Sequence, residues 1–169
     1  MKKKAGLFLL ILLVPALVLG VTLIITNKPL TKNDAELHYI TGNVLYKQSD
    51  YEKAITSFEK AVSINPLHEE ALNNLAFLYN KLGDYKKAAA HLAELVNIDP
   101  TNPSYHYDYA INLVMNIKKT KQGEIQEIET ALEEFSIADQ LEPGFLNAKE
   151  NIEFLGGMKQ EYYDKKNAQ

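Results

Sequence analysis

The sequence predicts an all-α protein: a solenoid of helical hairpins with three repeats and a C-terminal capping helix, preceded by a single transmembrane helix. The first observation behind this prediction is a recurring frame. The run 54–66, which ends at Pro66, returns 34 residues later in a run that ends at Pro100, and a further 43 residues later in a run that ends at Pro143. A period near 34 residues, with two helices indicated in each unit, is typical of helical-repeat solenoids. The second observation is an apolar stretch at 5–26 that contains no charged residue.

The composition of the chain excludes several classes of function. It contains no cysteine, which excludes disulfides and any metal or nucleophile site built on thiolates. All 18 basic residues are lysines, so the planar guanidinium group that binds carboxylate or phosphate through two parallel bonds is absent. The formal net charge is −4, and three of the lysines, Lys2–Lys4, precede the apolar stretch. The remaining acidic surface repels nucleic acid, so we expect no nucleic-acid partner.

The apolar stretch 5–26 is long enough to cross a membrane. As a helix that rises about 1.5 Å per residue it spans ~33 Å, close to the ~30 Å hydrocarbon layer of a bilayer. The apolar core of a cleaved signal peptide is shorter, roughly 7–15 residues. We therefore predict an uncleaved signal anchor that binds the lipid bilayer through residues 5–26, followed by a linker at 27–34. Cleavage is the alternative, because 14–16 and 18–20 resemble small-residue cleavage sites.

The lysines at the N-terminus predict the orientation of this anchor. Lys2, Lys3 and Lys4 form a basic tail, residues 1–4, whereas the basic residues after the anchor are offset by Asp34. The positive-inside rule keeps such a tail in the cytoplasm. We therefore expect a single-pass membrane protein whose repeats lie on the extracytoplasmic side, either periplasmic or at the cell surface.

The recurring frame divides residues 35–145 into three units, at 35–68, 69–102 and 103–145. Each unit is predicted to contain two helices. Pro66 ends the second helix of unit one, since the residue before a proline is disfavoured in a helix.

Short motifs predict the helix starts and the packing of unit one. Asn33 and Ser49 each precede a glutamate by three residues, which is the spacing of a capping box, so we expect them to begin the two helices. We expect Gly42 of the first helix to face Ala54 and Ala61 of the second helix, because small residues let two backbones approach closely without gaps.

Unit three is nine residues longer than the others, and the excess falls at 117–125, between its two helices. Lys118, Lys119 and Lys121 form a basic cluster there. The segment is either a surface insertion, since loops lengthen at little cost in free energy, or a contact with an acidic partner or with lipid headgroups.

The C-terminal residues 146–169 predict a helix that covers the end of the solenoid, followed by a frayed polar tail. We expect Gly156 and Gly157 to bend or break this helix, because two adjacent glycines cost ~2 kcal/mol relative to alanines.

Residues at equivalent positions of the three units resemble the tetratricopeptide repeat (TPR) family. The family pattern is a large residue, Leu-Gly or Leu-Ala, an aromatic, then Ala, Phe or Tyr, Ala and Pro. Unit two carries it in Leu75, Ala76, Tyr79, Ala88 and Pro100. The chain departs from the pattern at His38, Thr41, Leu95 and His106. The resemblance implies that the first helix of each unit lines a concave groove that takes an extended or helical peptide.

The resemblance also implies which residues line this groove. Asparagines are suited to bond a peptide backbone, and aromatic or methionine side chains to cover its apolar side chains. A polar face of this kind also occurs in solenoids without a ligand, which is the alternative. The groove positions fall on Tyr39, Asn43, Tyr46 and Lys47 in unit one, on Asn73, Asn74, Phe77, Asn80 and Lys81 in unit two, and on Tyr107, Asp108, Ile111, Val114 and Met115 in unit three.

One class of TPR protein, the co-chaperones that grip a C-terminal carboxylate, can be compared residue by residue. Asn43 and Asn74 match the two asparagines of these clamps. The positions that the resemblance assigns to cations fall on Tyr39, Ser104 and Asp108, none of which is positive. An aspartate at such a position repels a carboxylate, so we do not expect this chain to be a clamp of that kind.

The sequence contains no recognisable catalytic arrangement. It has no glycine-rich phosphate loop and no Ser-x-x-Lys motif. His38 and His106 occupy the same position two units apart, too far for a shared metal ion. We therefore predict no enzyme activity, no cofactor and no small-molecule substrate. The prediction is a membrane-anchored, non-catalytic adaptor that binds a peptide or protein partner in envelope assembly or maturation; the alternative is a fixed structural subunit of a membrane protein complex.

Overall fold

The computed structural model describes residues 30–120 and 125–168. The chain divides into Met1–Thr31 and a compact helical unit, Lys32–Gln169. The predicted anchor at 5–26, the basic tail and most of the linker lie outside the described residues and stay predictions. Within the described ranges, no helix is both long enough and apolar enough to cross a membrane.

The described residues of the helical unit form seven α-helices and one short 3₁₀ helix, with no strand among them. Each α-helix packs against the next one in the chain. This arrangement confirms the all-α fold class and the solenoid of helical hairpins. The helices are α1 (Lys32–Lys47), α2 (Tyr51–Ile64), α3 (Glu69–Lys81), α4 (Tyr85–Ile98), α5 (Pro103–Thr120), α6 (Ile125–Leu141) and α7 (Ala148–Asn167), with the 3₁₀ helix at Phe145–Asn147.

Two aspartates begin the second helices of units one and two. Asp50 and Asp84 each accept a hydrogen bond from the backbone N–H three residues further on, at 3.4 and 3.3 Å. The predicted helix starts are wrong. Ser49 lies in the turn with a φ of 63°, and Asn33 lies inside α1, which begins at Lys32. Aspartate caps a helix as well as serine does, so the residue next to Ser49 takes that role.

The two helices of unit one approach most closely at Gly42. A Cβ atom added to Gly42 would lie 2.5 Å from Cε1 of Phe58, and Phe58 is itself only 1% exposed. The three atoms nearest to such a Cβ all belong to the ring of Phe58, which fills the space that the missing side chain leaves. Ala54 and Ala61 are buried in the same core cluster as Phe58.

The C-terminal helix α7 covers the end of unit three. Ala148 and Leu155 are fully buried and belong to one apolar cluster with Phe135 of α6. Lys159 adds an ion pair to Glu129 of α6, with its Nζ atom 2.8 Å from Oε1. The last repeat of a solenoid needs such a cover, because its apolar face has no further repeat to pack against.

Part of the extra segment of unit three lengthens a helix. The first four residues of the segment 117–125 continue α5 to Thr120, and α6 begins at Ile125. The expectation that the whole segment lies between the two helices is therefore wrong. Residues 121–124, with Lys121, lie outside the described residues.

The two described lysines of the basic cluster make contacts within the helical unit. Lys119 donates a hydrogen bond of 2.8 Å to the backbone carbonyl of Gly83 in the turn after α3. The Nζ atom of Lys118 lies 5.0 Å from the ring centre of Phe154 on α7, within the range of a cation–π interaction. These contacts favour a structural role for both lysines.

The helix α7 is continuous through its two glycines, so the expected break at Gly156 and Gly157 is wrong. The buried Leu155 before them and the ion-paired Lys159 after them hold both halves of the helix against its neighbours. Tertiary packing therefore outweighs the low helix propensity of glycine here.

Replacing both glycines with alanine is expected to stabilise the protein. A Cβ atom at either position meets nothing within 4 Å, so only the gain in helix propensity, about 1 kcal/mol per site, remains. The melting temperature should rise by roughly 2–4 °C per kcal/mol, measured by circular dichroism.

Gly83→Ala is the matched control for this double substitution. Gly83 has a φ of 75°, where a Cβ atom is unfavourable by roughly 1–2 kcal/mol, so the melting temperature should fall. A fall on the α7 double substitution as well would contradict a continuous helix through Gly156 and Gly157.

Candidate functional site

A concave cavity of about 450 Å³ lies between α1, α3 and α5, the first helices of the three units. We call this cavity the groove. Residues from α1, α3 and α5 line its walls, and one residue of α4 reaches it from the second helix of unit two. The lining residues are Tyr46, Asn73, Asn74, Ala76, Phe77, Asn80, Leu92, Asp108, Ile111 and Asn112.

Two pairs of asparagines connect the helices that form the groove. The Nδ2 group of Asn74 on α3 donates to Oδ1 of Asn43 on α1 at 3.1 Å. The Nδ2 group of Asn80 on α3 donates to Oδ1 of Asn112 on α5 at 2.8 Å, and Asn112 donates in turn to the backbone carbonyl of Asp108 at 2.9 Å. Amide bonds between neighbouring helices fix the spacing of the walls, because half-buried amides are costly to leave unpaired.

An exposed phenylalanine forms the apolar part of the groove. Phe77 on α3 is 52% exposed although it lies in a concave site. Tyr46 on α1 packs edge-on against it, with ring centres 6.1 Å apart. The half-buried Ile111 faces the same cavity from α5, and Leu92 closes its floor. Exposed aromatic area in a concave site is typical of a surface that binds a partner.

The charge of the groove comes from one aspartate. Among the residues that line the cavity, Asp108 is the one with a charged side chain. Its carboxylate has no hydrogen bond or ion pair to any residue in the described ranges. Water reaches this side chain, yet protein surrounds it on several sides of the concave wall, and this partial burial raises the pKa of Asp108 above its usual value.

Seven of the residues predicted for the groove line the cavity, and the structure places the others elsewhere. The seven are Tyr46, Asn73, Asn74, Phe77, Asn80, Asp108 and Ile111. Asn43 lies behind the wall as the partner of Asn74. Lys47 is exposed, Met115 is half-buried and Val114 is buried in the core of unit three, and none of them lines the cavity.

Two tyrosines and one lysine predicted for the groove make contacts within the fold. Tyr39 packs against the ring of His68, at 4.8 Å between ring centres. Tyr107 packs edge-on against Phe135 at 5.2 Å. Lys81 donates to the hydroxyl of Tyr51 at 3.0 Å and lies over the same ring. These side chains therefore support neighbouring elements rather than line the cavity.

Sequence reasoning missed three lining residues, Ala76, Leu92 and Asn112. Ala76 and Leu92 are only 3% exposed, and the repeat pattern explains them as packing residues. Asn112 carried a signal that could have been used. It lies four residues after Asp108, and therefore on the same helix face, between the apolar residues Ile111 and Leu113.

Comparison with known proteins supports the same type of fold. Residues 45–109 match the family model of the tetratricopeptide repeat. A stretch of 71 residues, 41% of the chain, is 41% identical to the BBSome complex member BBS4 of Bos taurus and covers 14% of that protein. The chain thus spans a small part of this curated relative.

Several solved structures have a similar fold at low sequence identity. The first TPR of Spaghetti (RPAP3) bound to the HSP90 peptide SRMEEVD has a TM-score of 0.58 and 18% identity, over 77% of this chain and 96% of that one. MamA from Desulfovibrio magneticus RS-1 has a TM-score of 0.59 and 23% identity, over 78% of this chain and 70% of that one. A third structure is the Yersinia enterocolitica type III secretion chaperone SycD in complex with a peptide of the translocator YopD. It has a TM-score of 0.54 and 17% identity, over 82% of this chain and 99% of that one.

The chain is therefore similar to tetratricopeptide repeat proteins, in sequence pattern over residues 45–109 and in fold over a longer stretch. The family pattern is carried by residues 45–109, which extend from the end of α1 into α5, and the solved structures show that the fold covers about three quarters of the chain.

Proposed function

We propose that the protein is a non-catalytic adaptor that binds a peptide segment of a protein partner in the groove. The observation that carries this proposal is Phe77, which is 52% exposed in the concave cavity and is supported by Tyr46. Burying an exposed phenylalanine against a ligand is favourable by roughly 1.5–3 kcal/mol. Solved structures of similar fold hold peptides, as the RPAP3 and SycD complexes do.

The polar side of the groove suits a peptide backbone. Asn73 is exposed and has no hydrogen bond to any residue in the described ranges. The neighbouring Asn74 and Asn80 are already fixed by their partners on α1 and α5. Amides held in place bind a backbone with less loss of side-chain entropy than mobile amides do.

Phe77→Ala is expected to weaken partner binding by about 10- to 100-fold, as truncation of a central aromatic anchor does. Affinity-tagged full-length chain can be purified from cells after chemical cross-linking, and the amounts of co-purified proteins compared by quantitative mass spectrometry. Phe154→Ala is the matched control, because Phe154 is 50% exposed on α7, outside the groove. If both variants lose the co-purified partner equally, or if neither loses it, a binding site at the groove is contradicted.

The proposal also includes a membrane anchor at residues 5–26, with the N-terminus in the cytoplasm and the helical unit on the extracytoplasmic side. The 22 uncharged residues and Lys2–Lys4 support it. An adaptor in this position would hold its partner near the bilayer during envelope assembly or maturation.

Protease accessibility tests the orientation. Protease added to intact spheroplasts is expected to digest the helical unit of the full-length chain, detected with an antibody against a C-terminal tag. Digestion only after lysis would place the helical unit in the cytoplasm and would exclude the extracytoplasmic partner.

A second candidate function is a fixed subunit of a membrane protein complex. An apolar pocket of about 580 Å³ outside the groove favours it, lined by Val62, Pro66 and Leu67, with Glu94, Asn97 and Ile98 from α4 and its end. Leu67 is 71% exposed there. Leu67→Ser should release the complex if this pocket is the permanent contact, whereas the adaptor requires that Leu67→Ser leave binding intact and that Phe77→Ala remove it.

A further inference from the structure

The groove has a negative charge that no residue of the described ranges neutralises. Asp108 is the charged residue among those that line the cavity, and its carboxylate has no ion pair within the described ranges. Asp108 is exposed to solvent, but the protein around it removes part of its hydration and so raises the pKa of its carboxyl.

The lysines that could have neutralised this charge are placed elsewhere. Lys81 is held by the hydroxyl and the ring of Tyr51, and Lys119 is held by the carbonyl of Gly83. Lys47 does not line the cavity, and the sequence contains no arginine. Since no lysine of the described ranges neutralises Asp108, a ligand can supply the cation beside it.

Apolar area lies next to this charge. Ile111 lies three residues after Asp108 and hence on the same face of α5, and Phe77 faces the cavity from α3. A ligand that matches both features carries a cationic side chain beside an apolar side chain. The stem of a lysine or arginine also has apolar methylene groups that can cover the aromatic ring.

We propose that the groove selects an extended peptide segment in which a lysine or arginine side chain pairs with Asp108 while a neighbouring apolar side chain covers Phe77. This inference rests on the proposed function, since it names the chemistry of the partner for the same groove. The proposed segment is opposite in charge to the acidic HSP90 peptide SRMEEVD, which the RPAP3 domain of similar fold binds. Glutamates next to Asp108 would place like charges in a partly desolvated site, which disfavours such a ligand.

Peptide pools with a single variable charge test this inference. Each pool is acetylated and amidated, has uncharged degenerate positions and a fixed leucine, and differs only at the position beside that leucine, which is lysine, arginine, glutamate or norleucine. Binding to the full-length chain in a mild non-ionic detergent is measured by fluorescence anisotropy for the wild type, Asp108→Asn, Phe77→Ala and Glu133→Gln. Glu133 is an exposed carboxylate on α6 outside the groove and serves as the charge control.

The wild type and Glu133→Gln are expected to bind the lysine and arginine pools about tenfold more tightly than the glutamate pool. Asp108→Asn should retain binding of the norleucine pool and lose this preference, and Phe77→Ala should weaken binding of every pool. A preference that persists in Asp108→Asn, or a wild type that favours the glutamate pool, would overturn the inference and leave the peptide-binding function standing. No binding of any pool, together with no effect of Phe77→Ala on the cellular partner, would overturn both.

Discussion

Gly42→Ala is expected to destabilise the protein by about 1–3 kcal/mol, the usual cost of overpacking a well-packed core. The added Cβ atom would lie 2.5 Å from the ring of Phe58, and the ring is almost fully buried, so α1 and α2 have to move apart. At the positions equivalent to Gly42 and Phe58, unit three has Ala110 and Phe135 in one apolar cluster. Since this fold accepts an alanine beside a phenylalanine there, we expect a loss of stability rather than a loss of fold.

A second substitution provides an internal rescue for this prediction. At the equivalent positions, unit two packs Ala76 with Leu92. The double variant Gly42→Ala with Phe58→Leu should therefore be more stable than the sum of its single effects by roughly 0.5–3 kcal/mol, as contacting residues usually are. Urea unfolding followed by circular dichroism measures all three variants, and strict additivity would contradict direct contact between residues 42 and 58.

Glu134→Gln is expected to destabilise the protein by about 1–3 kcal/mol, because it replaces the carboxylate that contacts a ring nitrogen of a buried histidine. His106 is 3% exposed. Its Nδ1 atom lies 2.6 Å from Oε2 of Glu134, and its Nε2 atom lies 3.0 Å from the backbone carbonyl of Pro100. Glu134 and the carbonyl of Pro100 therefore provide partners for both ring nitrogens of this buried side chain. This pair ties α5 to α6 and to the turn before α5.

Glu133→Gln is the matched control for this substitution, since Glu133 is the exposed neighbour on the same helix. It should change the free energy of unfolding by less than about 0.5 kcal/mol, as most exposed substitutions do. Similar values for Glu133→Gln and Glu134→Gln in urea unfolding would show that the contact between Glu134 and His106 contributes little to stability.

The repeat spacing predicts the fold because it records long-range packing. Pro66, Pro100 and Pro143 each lie two residues after the end of a second helix. The small and large residues that recur before each proline lie on that helix, which packs against the first helix of its unit. Local signals were less reliable. Ser49 and Asp50 both suit a helix cap, and backbone geometry in the turn decides between them. At Gly156 and Gly157, packing on either side outweighs helix propensity.

The groove was predicted in part for a related reason. A helix face can be derived from the sequence, and Phe77, Asn73 and Asp108 of the predicted face line the cavity. What each side chain does on that face depends on its neighbours in the fold. Tyr107 packs on Phe135 because unit three is followed by α7 instead of another repeat, and Lys81 turns to Tyr51.

The position of a photo-cross-link tests most directly whether a partner protein occupies the groove. A photoreactive phenylalanine analogue can be placed at Asn73 in the groove, at Leu67 in the apolar pocket of α2 and α4, and at Glu133 on α6. We predict that, in cells, the full-length chain cross-links to a protein partner from position 73, and that Phe77→Ala removes this product. A partner cross-linked from position 67 and not from position 73 would contradict binding in the groove and favour the fixed-subunit function.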